Sequence, residues 1–273
     1  MNKILDEVIN KINEADAVLI GAGSGLSTAA GIKYAGDEFK KEFAPFISKY
    51  GFTDLYSSSF YEFDTYEEYW AYFAKHINYA NTGRSATKLY EKIYDLIKEK
   101  EYFVITTNVD DQFFKSGFDK NRIFRVQGSY ALNQCEVACH EKLYQNKEIV
   151  DKMLKSIDKD LRVDSSILPY CPVCSGKMVP NLRKDEYFVE DDLWHKQSDS
   201  YREFLKSNKD KKLLMLEFGV GFNTPGIIRY PFEQMAHEND KWTLIRFNKE
   251  KQTYYDLNGR FIGITEDIEK VII

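Results

Sequence analysis

The chain has 273 residues, 43% of them hydrophobic, enough to bury one large core, or a core domain with a smaller insertion, without disulfides. A net charge of −5, with acidic and basic residues interleaved as in the run from Ser207 to Lys212, argues against nucleic acid or an anionic membrane as the main partner. No apolar run approaches the roughly 20 residues that span a bilayer, and residues 1–12 carry Asp6 and Glu7 among their apolar side chains, unlike a signal peptide or anchor, so a cytoplasmic protein is expected. Ile4, Leu5, Val8, Ile9 and Ile12 recur at helical spacing and predict an amphipathic helix over 3–14. A short strand at 17–20 runs into the glycine-rich Gly21-Ala22-Gly23-Ser24-Gly25, with a helix starting near Leu26 to Ala30. Residues 37–80 are crowded with aromatics, among them Phe39, Phe43, Phe46, Tyr69, Trp70 and Phe73, and no strand pattern interrupts them, which predicts a helical insertion. A helix at 87–98 and strands at 102–106 and 122–126 follow, then a charged helix at 146–159 and a helix at 198–206. A strand at 213–218, a glycine-rich loop, a helix near 226–237 and a strand at 242–247 complete the predicted elements. Strands alternating with helices predict an α/β fold, a parallel sheet covered on both faces.

The strand, glycine turn and helix start form the Rossmann-like unit in which backbone approaches a pyrophosphate, and Gly21, Gly23, Gly25 and Gly31 supply such a surface. Taken alone this is a weak signal. A dinucleotide dehydrogenase would place an acidic residue at the end of a second strand about 20 residues on. Here that stretch is the aromatic insertion, and Asp37 and Glu42 follow no strand, which disfavours a dehydrogenase. The four cysteines fall in two pairs, Cys135/Cys139 and Cys171/Cys174. In a reducing compartment they are better metal ligands than disulfide partners, and four thiolates make a closed, structural Zn²⁺ site with no open position for catalysis.

Several blocks carry a resemblance to a known family. Gly23-Ser24-Gly25-Leu26-Ser27-Thr28-Ala29-Ala30-Gly31-Ile32 resembles the sirtuin motif G-A-G-x-S-x-x-S-G-I, and Thr106-Thr107-Asn108-Val109-Asp110 resembles T-Q-N-x-D. Val126-Gln127-Gly128-Ser129 sits where sirtuins carry H-G-S, and the cysteine pairs follow in order. Gly219-Val220-Gly221 takes the place of G-T-S, and Phe247-Asn248-Lys249-Glu250 resembles I-N-x-E, so the resemblance covers nearly the whole chain. It implies a Rossmann-like NAD-binding domain from 1–36, 81–130 and 196–273, a helical aromatic-rich insertion at 37–80 and a small zinc-binding domain at 131–195. Carried over, Gly23, Gly25 and Ser27 would contact phosphates, Asn108 and Asp110 would line the nicotinamide pocket, and Gly219 and Asn248 would reach the adenosine half. Ser24, Ile32, Tyr34, Val109, Gln127, Val220 and Gly221 complete the implied cofactor-binding set, and Asn108, Asp110 and Gln127 the catalytic one.

The departures matter more than the matches. Where deacylating sirtuins use a histidine as general base, this chain has Gln127, whose amide cannot take up a proton near neutral pH. Losing a general base typically removes about 10²- to 10⁴-fold in rate, while departure of nicotinamide needs no base. Transfer of ADP-ribose therefore remains feasible and deacylation is handicapped. His76, His140, His195 and His237 all lie outside the matched blocks, with His140, beside Cys139, the one near the metal site. Lys33-Tyr34-Ala35-Gly36 replaces the usual P-D-F-R, and the run from Glu217 to Ile228 looks like the corresponding loop of macrodomain-linked, class M microbial sirtuins. That group implies mono-ADP-ribosylation of a protein acceptor, a lipoyl-carrying, glycine-cleavage-H-like protein, with a macrodomain hydrolase as functional partner. A sirtuin deacylase working without histidine and a non-catalytic NAD or ADP-ribose sensor are the competing expectations. Glu217 is expected to be a structural carboxylate paired with an arginine such as Arg246, a role at the active site being the alternative.

Overall fold

The computed structural model describes residues 3–250 and 252–273. In chain order its strands are β1 (Ala17–Ala22), β2 (Glu101–Thr106), β3 (Ile123–Arg125), β4 (Gly128–Cys135), β5 (Tyr144–Gln145), β6 (Met178–Leu182), β7 (Leu213–Phe218), β8 (Trp242–Phe247) and β9 (Phe261–Ile264). They belong to two compact units: Met1–Ala30 with Ala86–Gln127 and Asp192–Ile273, and Gly31–Ser85 with Gly128–Asp191.

The first unit is built on a six-stranded parallel sheet in the order β3-β2-β1-β7-β8-β9. Every residue of β1 and β7 is buried, which is why these strands read as near-continuous apolar runs, broken in β7 by Glu217 alone. Alternate side chains serve opposite faces. Val18, Ile20, Val104, Leu214 and Leu216 pack with Val8 and Ile12 of helix Lys3–Glu14, Leu89 and Ile93 of helix Lys88–Ile97, and Val271 near the chain's end. Ala17, Leu19, Phe103, Met215 and Leu244 pack with Phe204 of helix Asp192–Ser207 and Phe232 of helix Arg229–Glu238. Three elements differ from expectation. The helix predicted at 198–206 starts at Asp192; its early turns bury Gln197 and Ser198, so no apolar stripe announces them. The sheet also continues past β8 into β9 and the closing helix Ile268–Ile272, both too short to carry a period.

The second unit bears out the helical character of 37–80. Helices Asp37–Glu42, Ala44–Tyr50, Leu55–Ser58 and Tyr66–Ile77 follow one another, the last running into a π turn at Asn78–Thr82. The aromatics stack on each other: Tyr72 lies 5.2 to 6.1 Å, centroid to centroid, from Phe43, Phe46, Phe52 and Phe63. The same unit contains an antiparallel sheet, order β5-β4-β6, and helix Lys147–Ser156 within the predicted 146–159. The sequence did not announce that sheet, because β4 buries Ser129, Asn133 and Gln134 beside Tyr130 and Leu132, and no polar-apolar alternation survives.

Candidate active site and metal centre

In the first unit the chain runs from β1 outward to β2 and β3 on one side, and from β7 to β8 and β9 on the other, so the strand order reverses between β1 and β7. Open α/β sheets take ligands outside the carboxyl ends of the strands at such a reversal. Here the two loops leaving β1 and β7 interlock through glycine backbone. Gly23 N donates to Phe218 O and Gly25 N to Gly219 O, each at 3.0 Å. A Cβ on Gly25 would stand 2.7 Å from Gly219 Cα, and one on Gly219, where φ is +59°, only 2.5 Å from the Gly25 carbonyl carbon. Both glycine amides of the first turn are thus spent within the chain, and exposed Ser24 lies between them. Gly21 does something else: its missing side chain makes room for Ile228 and Phe232. Gly31 belongs to the second unit.

Beyond β2, Asn108 and Asp110 are both buried. Asn108 Nδ2 donates to Gly23 O at 3.0 Å and to the Tyr90 hydroxyl at 3.2 Å, which ties the β2 loop to the glycine turn. Asp110 Oδ2 accepts from Ser27 Oγ at 2.5 Å and Oδ1 from Gln112 N at 3.0 Å. Burial pushes the Asp110 carboxyl up to about 6, against those two donors, which pull it down. Asp111 takes a left-handed conformation (φ +57°), which lets the chain turn sharply after Asp110, and its carboxylate pairs with Arg125 at 3.3 Å. Gln127, half-buried, closes the segment after β3. Asn248, just past β8, donates from Nδ2 to Val220 O at 2.7 Å and so fastens the β8 exit to the β7 loop.

The first unit therefore brings Gly23, Ser24, Gly25, Ser27, Asn108, Val109, Asp110, Gln127, Gly219, Val220, Gly221 and Asn248 to the carboxyl ends of the strands of one sheet, Ser24, Gly25 and Ser27 on the short helix Ser24–Ala29 and the rest on loops. Ile32, fully buried, and Tyr34, whose carbonyl accepts from Leu55 N at 2.8 Å, belong to the second unit. Tyr90 is the residue that motif matching missed. A tyrosine on the apolar stripe of a helix reads as core, and the sole hint was that a buried phenol needs a hydrogen-bond partner.

Glu217 has the structural role expected of it. It lies opposite Arg246 in the β7–β8 register and receives a two-pronged bond from that guanidinium at 2.7 and 2.9 Å. Arg246 also pairs with Glu233 at 2.7 Å, and Arg229 stands 3.8 Å from Glu217. These four buried charges sum to zero. Arg229 and Arg246 further donate to the carbonyls of Glu250 and Gln252, securing the loop after Asn248.

In the second unit Cys135, Cys139, Cys171 and Cys174 place their sulfurs within 4.8 Å of one another, with Sγ–Sγ separations of 3.6 Å (Cys135–Cys174) and 3.5 Å (Cys139–Cys171). A tetrahedral ion with bonds of about 2.3 Å needs sulfurs about 3.8 Å apart, so the donor set fits Zn²⁺. His140 Nδ1 lies 3.1 Å from Cys139 Sγ and Nε2 2.9 Å from the Tyr144 hydroxyl, a support for a ligand. His76 is wholly buried against Phe43, Tyr72, Phe73 and Tyr130, while His195 and His237 are exposed.

No family model matches the chain. A protein ADP-ribosyltransferase of Staphylococcus aureus strain Mu50 is 35% identical over 263 residues, covering 96% of this chain and 83% of that protein. A probable bifunctional ADP-ribose hydrolase/ADP-ribosyltransferase of Fusarium oxysporum f. sp. cubense is 33% identical over 84% of this chain, which spans 39% of that longer protein. Among solved structures, Sir2Tm bound to a propionylated peptide superposes with a TM-score of 0.60 at 18% identity, over 97% of this chain and 94% of the other. With that fold, and with a relative more than one-third identical over almost its whole length, the chain belongs to the sirtuin (Sir2) family.

Proposed function

We propose that the chain is an NAD-dependent protein ADP-ribosyltransferase, which breaks the bond between nicotinamide and ribose and passes ADP-ribose to a protein acceptor. The observation that carries this is the composition of the strand-end site: Asn108 and Asp110 buried beside the interlocked glycine loops, with Gln127 in the place of a proton-accepting histidine. Among the described residues of the first unit the histidines are His195 and His237, both exposed on helices. The names of the Staphylococcus and Fusarium relatives support the same activity.

The site residues divide the work. Exposed Ser24 offers a phosphate its hydroxyl between two amides already committed, and Gly23, Gly25 and Gly219 keep the loops close enough for phosphate to lie along backbone. Asn108 commits both amide hydrogens inward, so Oδ1 is what it has left to offer a ribose hydroxyl or an ordered water. Asp110 accepts from the nicotinamide amide, and Gln127 hydrogen-bonds without taking up a proton. NAD, when bound, supplies the activated ADP-ribosyl group. The acceptor we would test first is a lipoyl-carrying protein, with a separate ADP-ribose hydrolase as functional partner, since the Fusarium relative's name joins the two activities in one chain. Among the described residues no helix is long and apolar enough to cross a membrane, and a cytoplasmic setting would keep the four thiols available to zinc.

Incubation with labelled NAD and a lysate, with and without lipoylation, followed by mass spectrometry of the labelled protein, tests this. ADP-ribose added to a polypeptide, and lost with Asn108→Ala, is expected; Gln127→Ala should weaken the labelling. Efficient removal of acyl groups from lysine, with no mark left on any protein, would refute it.

A further inference from the structure

Asn108 is held by a group that no motif match picked out. Tyr90 lies on helix Lys88–Ile97, whose Leu89, Tyr90, Ile93 and Ile97 form the buried stripe, and its ring is fixed edge-on against Phe113 at 4.8 Å. Its hydroxyl sits between Asn108 Nδ2, 3.2 Å away, and Ser27 Oγ, 3.3 Å away.

Hydrogen-bond chemistry fixes the direction of this chain of contacts. Gly23 O can only accept, so the atom of Asn108 facing it is the amide nitrogen. The Tyr90 oxygen must then accept from that same nitrogen, and its own proton has to go elsewhere. Ser27 Oγ is an acceptor within reach, and the Ser27 proton in turn goes to Asp110 Oδ2 at 2.5 Å. The sequence of donations runs Asn108 to Tyr90 to Ser27 to Asp110. Without the Tyr90 oxygen one amide hydrogen of Asn108 would be left unpaired in a buried place, and rotation about the last side-chain bond would be opposed by Gly23 O alone.

We infer that Tyr90 is a positioning residue for the reaction: its hydroxyl holds the Asn108 amide with nitrogen inward, so that Oδ1 faces the reacting sugar. The inference rests on the role proposed above for Asn108. It also accounts for a polar atom on an otherwise apolar helix stripe, where phenylalanine would fill the same space.

Tyr90→Phe tests it by two readouts. In side-chain amide NMR spectra, with the Asn108 signal assigned by its loss in Asn108→Ala, the wild-type hydrogens should both exchange slowly with solvent. In Tyr90→Phe one of them should exchange faster while its geminal partner, on Gly23 O, stays protected. Target labelling at saturating NAD should fall about tenfold, the equivalent of one buried hydrogen bond, with KM for NAD changed less than about twofold. A structural defect would instead alter many amide signals and shift KM and kcat together. An unchanged Asn108 signal, or an unchanged labelling rate beside a changed signal, would overturn the inference. Should Asn108→Ala keep full labelling, the proposed role of Asn108 fails, while the NMR readout still decides whether Tyr90 holds its amide. If Tyr90→Phe does not fold, Ser27→Ala offers the same NMR measurement: it removes the Ser27 contact of the Tyr90 hydroxyl and should shift the Asn108 signal without removing its acceptor, and no shift would count against the chain.

Discussion

Gly219→Ala is the sharpest test of the idea that the β1 and β7 loops are locked backbone to backbone. The substitution has two costs. A non-glycine residue in the left-handed region at φ +59° costs roughly 1–2 kcal/mol. The new Cβ would also stand 2.5 Å from the Gly25 carbonyl carbon and from Leu26 N, backbone atoms that cannot swing aside as a flexible side chain would. Relieving that contact by backbone movement costs about 1–3 kcal/mol more. Together these give about 2–5 kcal/mol, a large part of the roughly 5–15 kcal/mol that stabilises a typical domain. Gly221→Ala is the matched control, two residues on in the same loop, with nothing within 4 Å of the new Cβ and no positive φ. Urea unfolding of both variants, followed by tryptophan fluorescence, should show a large fall in midpoint with unchanged slope for Gly219→Ala and a change below about 0.5 kcal/mol for the control. A loss under 1 kcal/mol for Gly219→Ala, or equal losses in the two, would refute the interlock.

Three further outcomes are expected. Asp110 has its carboxyl raised from an ordinary 3.8 to about 6, so between about pH 4 and pH 6 the folded chain keeps a proton that the unfolded chain has released; its contribution to stability falls as pH rises through that window, by about 3 kcal/mol in all, and Asp110→Asn should remove that part of the pH dependence in melts of the free protein. Arg246→Met strands Glu217 and Glu233 in the interior and should cost about 3–5 kcal/mol by urea unfolding, whereas the same substitution in a Glu217→Gln, Glu233→Gln background should cost less. A strong chelator under reducing conditions should release about one equivalent of zinc per chain, measured with a metallochromic dye, and lower the melting temperature; Cys171→Ser should contain less than one equivalent as purified.

How much of this was readable beforehand follows from the range of each signal. β1 and β7 announced themselves because both faces are buried and, Glu217 apart, their residues carry no charged or polar side chain. The helical stretch at 37–80 was equally plain, since its rings need each other and no strand period competes. β4 was hidden by its polar core: Asn133 and Gln134 are buried because Asn146 Nδ2 donates to Asn133 Oδ1 and Asn181 Nδ2 to Gln134 Oε1, pairings that only the folded chain creates. The site was legible as motifs, yet the duty of each glycine was not. Gly21, Gly23 and Gly25 look alike in sequence, and they separate into a helix-packing position and two halves of an interlock once β7 lies alongside β1.

The buried charges of the first unit provide a physical means of separating scaffold from site. Glu217, Arg246, Glu233 and Arg229 satisfy each other and add to zero, so the cluster needs nothing from outside, and its remaining donors go to carbonyls of its own chain. Such a group is retained for the shape it holds. Asp110 is in the opposite condition. Its hydrogen-bond donors, Ser27 and the Gln112 amide, are uncharged, and burial raises its carboxyl to about 6. A buried carboxyl whose hydrogen bonds come from uncharged donors is a standing cost to the fold, and natural sequences tolerate such a cost where a site needs it. A ligand that brings its own donor to Asp110 recovers part of that cost on binding. On the role proposed for Asp110, the free energy withheld from folding then becomes selectivity for an amide-bearing ring over one that lacks it.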